Sequence, residues 1–198
     1  MVNLNKDVKY VKGVGPNRII LLNKVNIFTL KDLITYFPRD YEDRSKPHNI
    51  CECIDGEEAL IEAIPTGKIS EYRKGKMVIS RLIVRDQTGT CYITWYNQGY
   101  LKNIFFPGKL YRFFGKVSKK GTRVEMNSPV YDEIDDSKNT GKIIPIYPLT
   151  QELKQNTLRK IIENGLLEVK GKLEETLPEY IIKDNNLMDI NTTIERIH

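Results

Sequence analysis

The stretch MVISRLIVRDQTGTCYITWY, residues 77–96, decides the fold in the middle of this chain. Two runs rich in β-branched and aromatic residues flank a polar turn at residues 86–89, a pattern that is typical of a β-hairpin. If four residues form the loop, Arg85 faces Thr90 across the pair, and every later pair in the hairpin is fixed. The sequence therefore predicts both the hairpin and its register.

Side chains alternate between the two faces of a strand, so this register also sorts the hairpin residues by face. One face is apolar and is predicted to lie in the interior: Leu82, Val84, Cys91, Ile93 and Trp95. The other face mixes cations with aromatic rings: Arg81, Arg85, Tyr92, Thr94 and Tyr96. The second and third strands of an OB-fold bind oligonucleotides with such a face. Alternatively, Tyr92, Ile79 and Ile83 pack beneath the N-terminal helices, which is the interpretation we favour for these three residues.

Three further strand-like runs surround the hairpin between Leu60 and about Val130. One precedes it, and two follow a connection at residues 98–106 that is long enough for a short helix. Three strands, a helix and two strands is the order of an OB-fold. We therefore predict an α+β protein. It has a five-stranded OB-fold β-barrel at residues 56–134, an N-terminal helical segment at residues 1–55, and an extended segment with C-terminal helices at residues 135–198.

The flanking segments carry helix signals. Pro16 suits a first helical turn, and the apolar run Ile19–Leu22 predicts a buried helix after it. Thr29 and Asp32 predict a capping box for a second helix, which would end at Pro38 with its apolar face formed by Leu30, Leu33, Ile34 and Phe37. A further helix is predicted to begin near Asn156 and to end at Gly165.

The positive charge is concentrated in the predicted barrel. The whole chain carries a formal net charge of +5, but residues 64–127 hold thirteen basic side chains against three acidic ones, and both flanks are acidic. A polyanion partner explains this surplus, and an ordinary solvated surface on a lysine-rich protein explains it as well.

Several classes of site are not supported. The three cysteines, Cys51, Cys53 and Cys91, lack metal spacing and are interpreted as reduced thiols; with only His48 and His198 beside them, a structural metal is not expected. The sequence shows none of the common catalytic motifs, so we assign no catalytic residue. No apolar stretch approaches the roughly 20 residues of a membrane span, and no secretory signal is evident, so we expect a cytoplasmic protein without a membrane role.

Two short segments are candidates for contact with nucleic acid. In WYNQGYLKN, residues 95–103, Tyr96 and Tyr100 would project near a corner of the barrel with Lys102 close by, although such pairs are often ordinary filler. In VKGVGP, residues 11–16, backbone N–H groups around Gly13 and Gly15 would contact a phosphate, as in half of a helix-hairpin-helix. A turn that only allows tight helix packing explains the second segment equally well.

Two longer stretches resemble a known family. VKGVGPNRIILLNKVNIFTLKDLITYFPRDYEDRS, residues 11–45, resembles the start of the RecG wedge domain, with its GVGP turn and FPRxYEDR pattern. IIPIYPLTQELKQNTLRKII, residues 143–162, is similar to the segment after that family's barrel, and residues 177–198 to the lead into its helicase motor. The chain begins close to the GVGP turn and shows no motor motif.

This resemblance implies a function. In that family an OB-fold wedge sits at the junction of branched DNA, such as a stalled replication fork or a Holliday junction, while motor domains of the same chain pull the duplex during DNA repair and recombination. An aromatic pair in an [FY]-N-Q-x-Y arrangement stacks at the junction, and it matches residues 96–100. Including the basic residues, the expected DNA-binding set is Tyr96, Asn97, Gln98, Tyr100, Lys102, Arg81, Arg85, Lys119, Lys120 and Arg123.

The resemblance also bears on cofactors and on other functions. No cofactor is expected within this chain, whereas ATP and Mg are expected for the motor of the parent protein. An RNA- or tRNA-binding OB module and a protein-interaction domain with a merely solubilising basic stripe are the alternatives. If tRNA competes successfully with forked DNA, the RNA-binding module is favoured. If the chain binds no nucleic acid at low salt, the protein-interaction domain is favoured.

Overall fold

The computed structural model describes residues 2–136 and 138–198. They form two compact units, one built from the two ends of the chain, up to Tyr41 and from Pro145 onward, and the other from Glu42–Ile144. The helices are α1 (Pro16–Asn23), α2 (Leu30–Ile34), α3 (Gln155–Val169), α4 (Glu179–Asp184) and α5 (Ile190–Ile197). The strands are β1 (Asp40–Asp43), β2 (Glu58–Pro65), β3 (Ser70–Lys74), β4 (Met77–Arg85), β5 (Thr90–Tyr96), β6 (Tyr111–Lys120), β7 (Arg123–Asn127), β8 (Val130–Glu133) and β9 (Ile143–Ile146).

The Glu42–Ile144 unit has the strand order β2-β4-β5-β7-β6, and β6 pairs back onto β2, so that five strands form a closed path. β5 and β7 are parallel, and a short 3-10 helix at Gly99–Asn103 connects β5 to β6. This is the topology of an OB-fold, as predicted. The predicted first run is divided into β2 and β3, with β3 pairing only along β4, and β8 adds a further strand beside β6. The predicted short helix is confirmed as one 3-10 turn.

The predicted hairpin register is confirmed. β4 and β5 pair antiparallel with Arg85 opposite Thr90 and Arg81 opposite Thr94. All five residues predicted to face the interior are at most 1% exposed: Leu82, Val84, Cys91, Ile93 and Trp95. Trp95 lies at the centre of an aromatic cluster. The centre of its ring lies 5.3 Å from the centre of the Phe105 ring, and its indole N–H donates to the Pro129 carbonyl at 3.1 Å.

The turn between β4 and β5 is held by one carboxylate. Asp86 accepts hydrogen bonds from the backbone N–H groups of Thr88 at 2.7 Å, Gly89 at 2.8 Å and Ile50 at 2.7 Å. Burial by itself would raise the pKa of Asp86, but these hydrogen bonds favour the ionised form and bring the pKa below its usual value. The turn therefore ties the hairpin to the segment that precedes the barrel.

A second polar cluster fixes the segments that flank the barrel in sequence. Arg44 is 9% exposed, pairs with Glu42, donates to the Asn139 carbonyl at 2.9 Å and lies 4.5 Å from the centre of the Phe114 ring. Its backbone N–H donates to the Lys142 carbonyl at 3.2 Å, close to the pairing of β1 with β9. Arg44, the second of the two arginines in FPRDYEDRS, residues 37–45, is therefore part of the scaffold.

The unit formed by the chain ends is helical, and its first helix departs from the prediction. α1 begins at Pro16 as predicted, but Leu22 is its only fully buried residue and Ile20 is exposed. The prediction of a buried helix is wrong because an unbroken apolar run includes every face of a helix, whereas only one face packs against a neighbour.

The second helix keeps its predicted start. Thr29 and Asp32 form the expected capping box, with the Asp32 N–H donating to Thr29 Oγ1 at 3.2 Å and the Thr29 N–H donating to Asp32 Oδ2 at 2.9 Å. The helix ends at Ile34, before Pro38, so Phe37 lies beyond its apolar face and is exposed.

Gly165 lies inside α3, so the prediction that it ends this helix is wrong. A Cβ atom at this position would lie 2.7 Å from Leu33 Cδ2, which is too close for any real contact. The glycine therefore serves close packing of α2 against α3. The predicted division into residues 1–55, 56–134 and 135–198 stays a prediction; the structure groups the two chain ends in one unit. Among the described residues, no helix has the length and apolar character needed to cross a membrane.

Candidate nucleic-acid interface

Two tyrosines mark the corner where β5 ends. Tyr96, the last residue of β5, is 42% exposed, and Tyr100, in the following 3-10 turn, is 62% exposed. The Tyr96 hydroxyl donates to Asn127 Oδ1 at 3.4 Å, and the Tyr100 hydroxyl donates to Gln98 Oε1 at 3.0 Å. We call this region, residues 96–103, the tyrosine corner. Both rings are held by their hydroxyl ends while part of each ring stays open to solvent.

Asn97 shapes the corner from within. Its backbone is in the left-handed region with φ 56°, which asparagine tolerates better than most residues. Its N–H donates to the Val78 carbonyl at 2.7 Å, and its Oδ1 accepts from the Val78 N–H at 3.1 Å. Asn97 and Gln98, both in the predicted DNA-binding set, thus have hydrogen-bonding partners inside the protein.

Tyr131 connects the tyrosine corner to the core. Its ring packs edge-on against Phe105 at 4.9 Å and against Trp95 at 6.2 Å. Burial, with a smaller contribution from the neighbouring Tyr100 phenol, raises the pKa of Tyr131 to about 12. The Tyr100 phenol therefore lies beside a phenol that stays neutral at physiological pH.

The outer face of the sheet carries more aromatic rings than the corner alone. Tyr72 of β3, Ile79 of β4 and Tyr96 of β5 are direct partners in register, so they form one row across three strands. The Arg81 guanidinium lies 4.9 Å from the centre of the Tyr72 ring. Ile79 is buried, whereas Ile83 is 43% exposed, so the prediction that Ile83 is packed beneath helices is wrong.

Several cations of the barrel are already occupied. Lys119 donates to the carbonyls of Cys51 and Cys53, both at 2.8 Å. Arg123 pairs with Glu125 and lies 4.3 Å from the centre of the Tyr92 ring. Lys109 and Arg112 pair with Glu133 and Glu62, respectively. These four of the thirteen cations in residues 64–127 therefore have acidic or carbonyl partners within the protein.

Other cations are open to solvent. Lys102 and Lys120 are exposed and make no ion pair within the described ranges, and Arg85 lines a groove of about 750 Å³ together with Asp86 and His48. Sequence reasoning missed a further set at the tip of the β3–β4 hairpin, namely Arg73, Lys74 and Lys76. The signal was present, since three cations flank one tight turn at Gly75, but charge alone did not distinguish them from the paired cations.

The GVGP turn uses its polar groups internally. Gly13 has φ 91°, its carbonyl accepts from Arg18 Nη1 at 2.6 Å, and the Lys12 carbonyl accepts from Asn164 Nδ2 at 2.7 Å. Gly15 precedes α1, whose first residue is a proline and so lacks a backbone N–H. These contacts fit a turn that supports packing, and a phosphate contact at Gly13 and Gly15 stays a prediction.

The thiols are free and mostly buried. Cys53 and Cys91 are buried and Cys51 is exposed. Burial raises the pKa of Cys91 to about 12, so this thiol stays protonated and unreactive. Within residues 2–136 and 138–198, no three His, Cys, Asp or Glu side chains are grouped as a metal site requires.

Comparisons with known proteins identify the family. A model described as the RecG wedge domain matches residues 7–169. The ATP-dependent DNA helicase RecG of Thermotoga maritima is 33% identical over 205 residues, which cover 100% of this chain and 26% of that protein. RecG of Escherichia coli strain K12 is 26% identical over 191 residues, which cover 94% of this chain and 27% of that protein. The chain thus spans about a quarter of the length of these curated relatives.

A solved structure agrees with these sequence matches. The structure of RecG bound to a three-way DNA junction superposes over 100% of this chain with a TM-score of 0.89 and 31% sequence identity, and the match covers 27% of that chain. The family match to residues 7–169 includes the whole OB-fold, α1 and α2 before it, and α3 after it. This chain therefore belongs to the RecG wedge domain family.

Proposed function

We propose that this chain is the wedge module of a branch-specific DNA helicase and that its tyrosine corner caps the exposed base pairs where the strands of a DNA junction separate. The observation that carries the proposal is the pair Tyr96 and Tyr100, two exposed rings at the end of a strand whose alternate residues Cys91, Ile93 and Trp95 lie in the core. A related chain with a TM-score of 0.89 was solved bound to a three-way DNA junction.

Stacking on an aromatic ring supports this role physically. A base stacked on an exposed ring contributes roughly 1–3 kcal/mol and needs no particular sequence, which suits an enzyme that acts on forks of any sequence. Tyr96 and Tyr100 each have the phenol oxygen anchored, so binding a base costs little further ordering of the ring. The open cation Lys102, two residues after Tyr100, is suited to a phosphate contact at the corner, whereas Lys120 lies opposite Arg123 in the pairing of β6 with β7, by the other end of β5.

The parent protein would supply the motor. The chain spans about a quarter of its curated relatives, and those relatives are named ATP-dependent DNA helicases. Motor domains of the same parent chain, with bound ATP and Mg, would pull the duplex against the wedge during fork regression in DNA repair and recombination. The wedge itself would bind branched DNA such as stalled forks and Holliday junctions.

The proposal is tested with Tyr96→Ala and Tyr100→Ala on a forked substrate and on a linear duplex of the same sequence. We expect each change to weaken fork binding by roughly 1–3 kcal/mol, measured by fluorescence anisotropy, and to affect the linear duplex much less. Tyr180→Ala is the matched control, since Tyr180 is 65% exposed and lies in the helical unit. Equal losses on fork and linear duplex would contradict the junction role.

Salt dependence gives a second measure of the same proposal. Each phosphate neutralised on duplex DNA contributes about −0.9 to the slope of log affinity against log salt concentration. A module that uses a few open cations should therefore show a clearly negative slope. An affinity that does not change with salt would argue against phosphate contacts and in favour of a protein-interaction domain.

A further inference from the structure

A polar cleft lies directly beside the tyrosine corner. It measures about 460 Å³ and is bounded on one side by the β3–β4 hairpin and on the other by the 3-10 turn that carries Tyr100. Its walls include Arg73 from the hairpin and Gly99 and Lys102 from the turn. Binding clefts commonly measure roughly 300–1,000 Å³, so this one has room for one sugar-phosphate group.

Two cations face this cleft from its opposite sides. Arg73 is exposed in β3, and Lys102 is exposed in the 3-10 turn. Within the described part of the chain neither side chain makes an ion pair, unlike Lys109, Arg112 and Arg123 of the same unit. Lys74 and Lys76 extend the positive charge along the hairpin tip. In this cleft, therefore, unpaired cations from two different elements come together.

Glu71 opposes these cations and limits their effect. Its carboxylate accepts a hydrogen bond from Ser80 Oγ at 3.3 Å, which holds it on the cleft wall. A Cβ at Gly99 would lie 3.4 Å from Glu71 Oε1, so the two walls of the cleft approach each other at this point. A bound phosphate would be attracted by Arg73 and Lys102 and repelled by Glu71, so the cleft is suited to contacts that form and break readily.

We infer that this cleft binds the phosphodiester backbone of a DNA single strand as that strand leaves the tyrosine corner. Tyr100 lies between Gly99 and Lys102 in the chain, so a strand whose base stacks on Tyr100 has its backbone next to the cleft. The inference rests on the proposed function, because it takes Tyr100 as the point where the strand arrives. It adds a site formed by Arg73, Lys102 and Glu71.

The first test changes the charges of the cleft. The 198-residue chain with Arg73→Ala and Lys102→Ala is titrated with a fork that carries one single-stranded arm, over a series of salt concentrations. A phosphate contact on a single strand contributes about 0.7 to the salt slope, so losing two such contacts should reduce the slope by about 1.4. Glu71→Gln should act in the opposite direction and tighten binding.

Lys116→Ala is the matched control for these changes. Lys116 is an exposed lysine of β6, and β6 pairs with β2, β7 and β8, none of which lines the cleft. The inference is overturned if Lys116→Ala reduces the slope as much as the double variant, or if Glu71→Gln weakens binding. Thermal unfolding of each variant checks folding, and we expect no change for Arg73 and Lys102 because both are exposed and unpaired.

The second test locates the phosphate on the DNA. Neutral methylphosphonate linkages are placed one at a time along the single-stranded arm. We expect one or two linkages next to the branch point to weaken binding of the unaltered chain and to have no effect on the Arg73→Ala/Lys102→Ala variant. Equal sensitivity of both proteins at every linkage would overturn the inference.

The two proposals fail in different ways. If Tyr96→Ala and Tyr100→Ala leave fork preference unchanged while the cleft variants still alter single-strand binding, the junction role is wrong and the cleft remains a single-strand site. If the tyrosine variants behave as proposed while the cleft variants match Lys116→Ala, the cleft inference is wrong and the junction role stands.

Discussion

The two ends of strand β5 are built in opposite ways. Before the strand, the Asp86 turn satisfies its polar groups: one carboxylate accepts hydrogen bonds from three backbone N–H groups. After it, the tyrosine corner leaves two phenol rings and the Lys102 ammonium exposed. One end of β5 thus makes contacts that stabilise the fold, and the other end keeps side chains available for a binding partner. Changes at the two ends should therefore separate stability from binding.

The largest expected effect is at the turn. Asp86→Ala leaves three backbone donors without their carboxylate, and hydrogen bonds to a charged group contribute roughly 1.5–3 kcal/mol each, with partial compensation by water. We expect the free energy of unfolding to fall by about 3 kcal/mol in urea denaturation. DNA affinity per folded molecule should not change. A loss of unfolding free energy smaller than that of an ordinary surface substitution would show that the Asp86 turn does not contribute more stability than the tyrosine corner.

Asn97→Ala tests whether Asn97 stabilises the fold of the tyrosine corner. Alanine at a left-handed position costs roughly 1–2 kcal/mol in backbone strain, and the hydrogen bond from Val78 is lost as well. Asn97→Gly removes the same side chain without the strain and should therefore be less destabilising in the same urea measurement. If Asn97→Gly instead lost fork binding as strongly as the tyrosine variants, Asn97 would be a DNA contact.

Acid should weaken the turn selectively. Because the folded pKa of Asp86 lies below its unfolded value, near 3.9, its contribution is complete above about pH 4 and is lost as the pH falls through the lower folded pKa. We expect Asp86→Asn to flatten this part of the stability profile, measured by urea midpoints between about pH 7 and about pH 3. Parallel profiles for the two proteins would mean that other carboxylates dominate.

The smallest expected effect is on the stability of the corner variants. Tyr96→Ala and Tyr100→Ala should each change the free energy of unfolding by no more than about 0.5 kcal/mol, as is usual for exposed side chains. Differential scanning fluorimetry is sufficient to check this. A larger loss would show that the rings are structural, and the proposed binding losses would then need correction for folding.

The barrel could be predicted in detail because its signals are local. A loop of four residues and strict alternation fixed the β4–β5 register, and each of the five predicted interior residues is buried. The split between β2 and β3 was not predictable in this way, since residues 59–73 read as one β-rich run and only pairing along different parts of the sheet divides them.

The candidate site was less predictable because it depends on distant partners. Lys119 and Arg73 look alike in the sequence, yet Lys119 is bound to two carbonyls from residues 51 and 53, while Arg73 is exposed beside a cleft. Gly165 has the same limitation: the side chain that makes glycine necessary, Leu33, is more than a hundred residues away. Which cations are occupied and which glycines are packed follows from tertiary contacts.

Arg44 has a mechanical consequence. The Glu42–Ile144 unit starts and finishes on two strands that pair with each other. Next to this pair, the Arg44 N–H donates to the Lys142 carbonyl at 3.2 Å, and the Arg44 carbonyl accepts from the Gly141 N–H at 2.8 Å. A folded unit whose two ends meet can be carried as an insertion. Tension applied across those ends would load this short ladder first, leaving the barrel strands under little stress until the ladder opens.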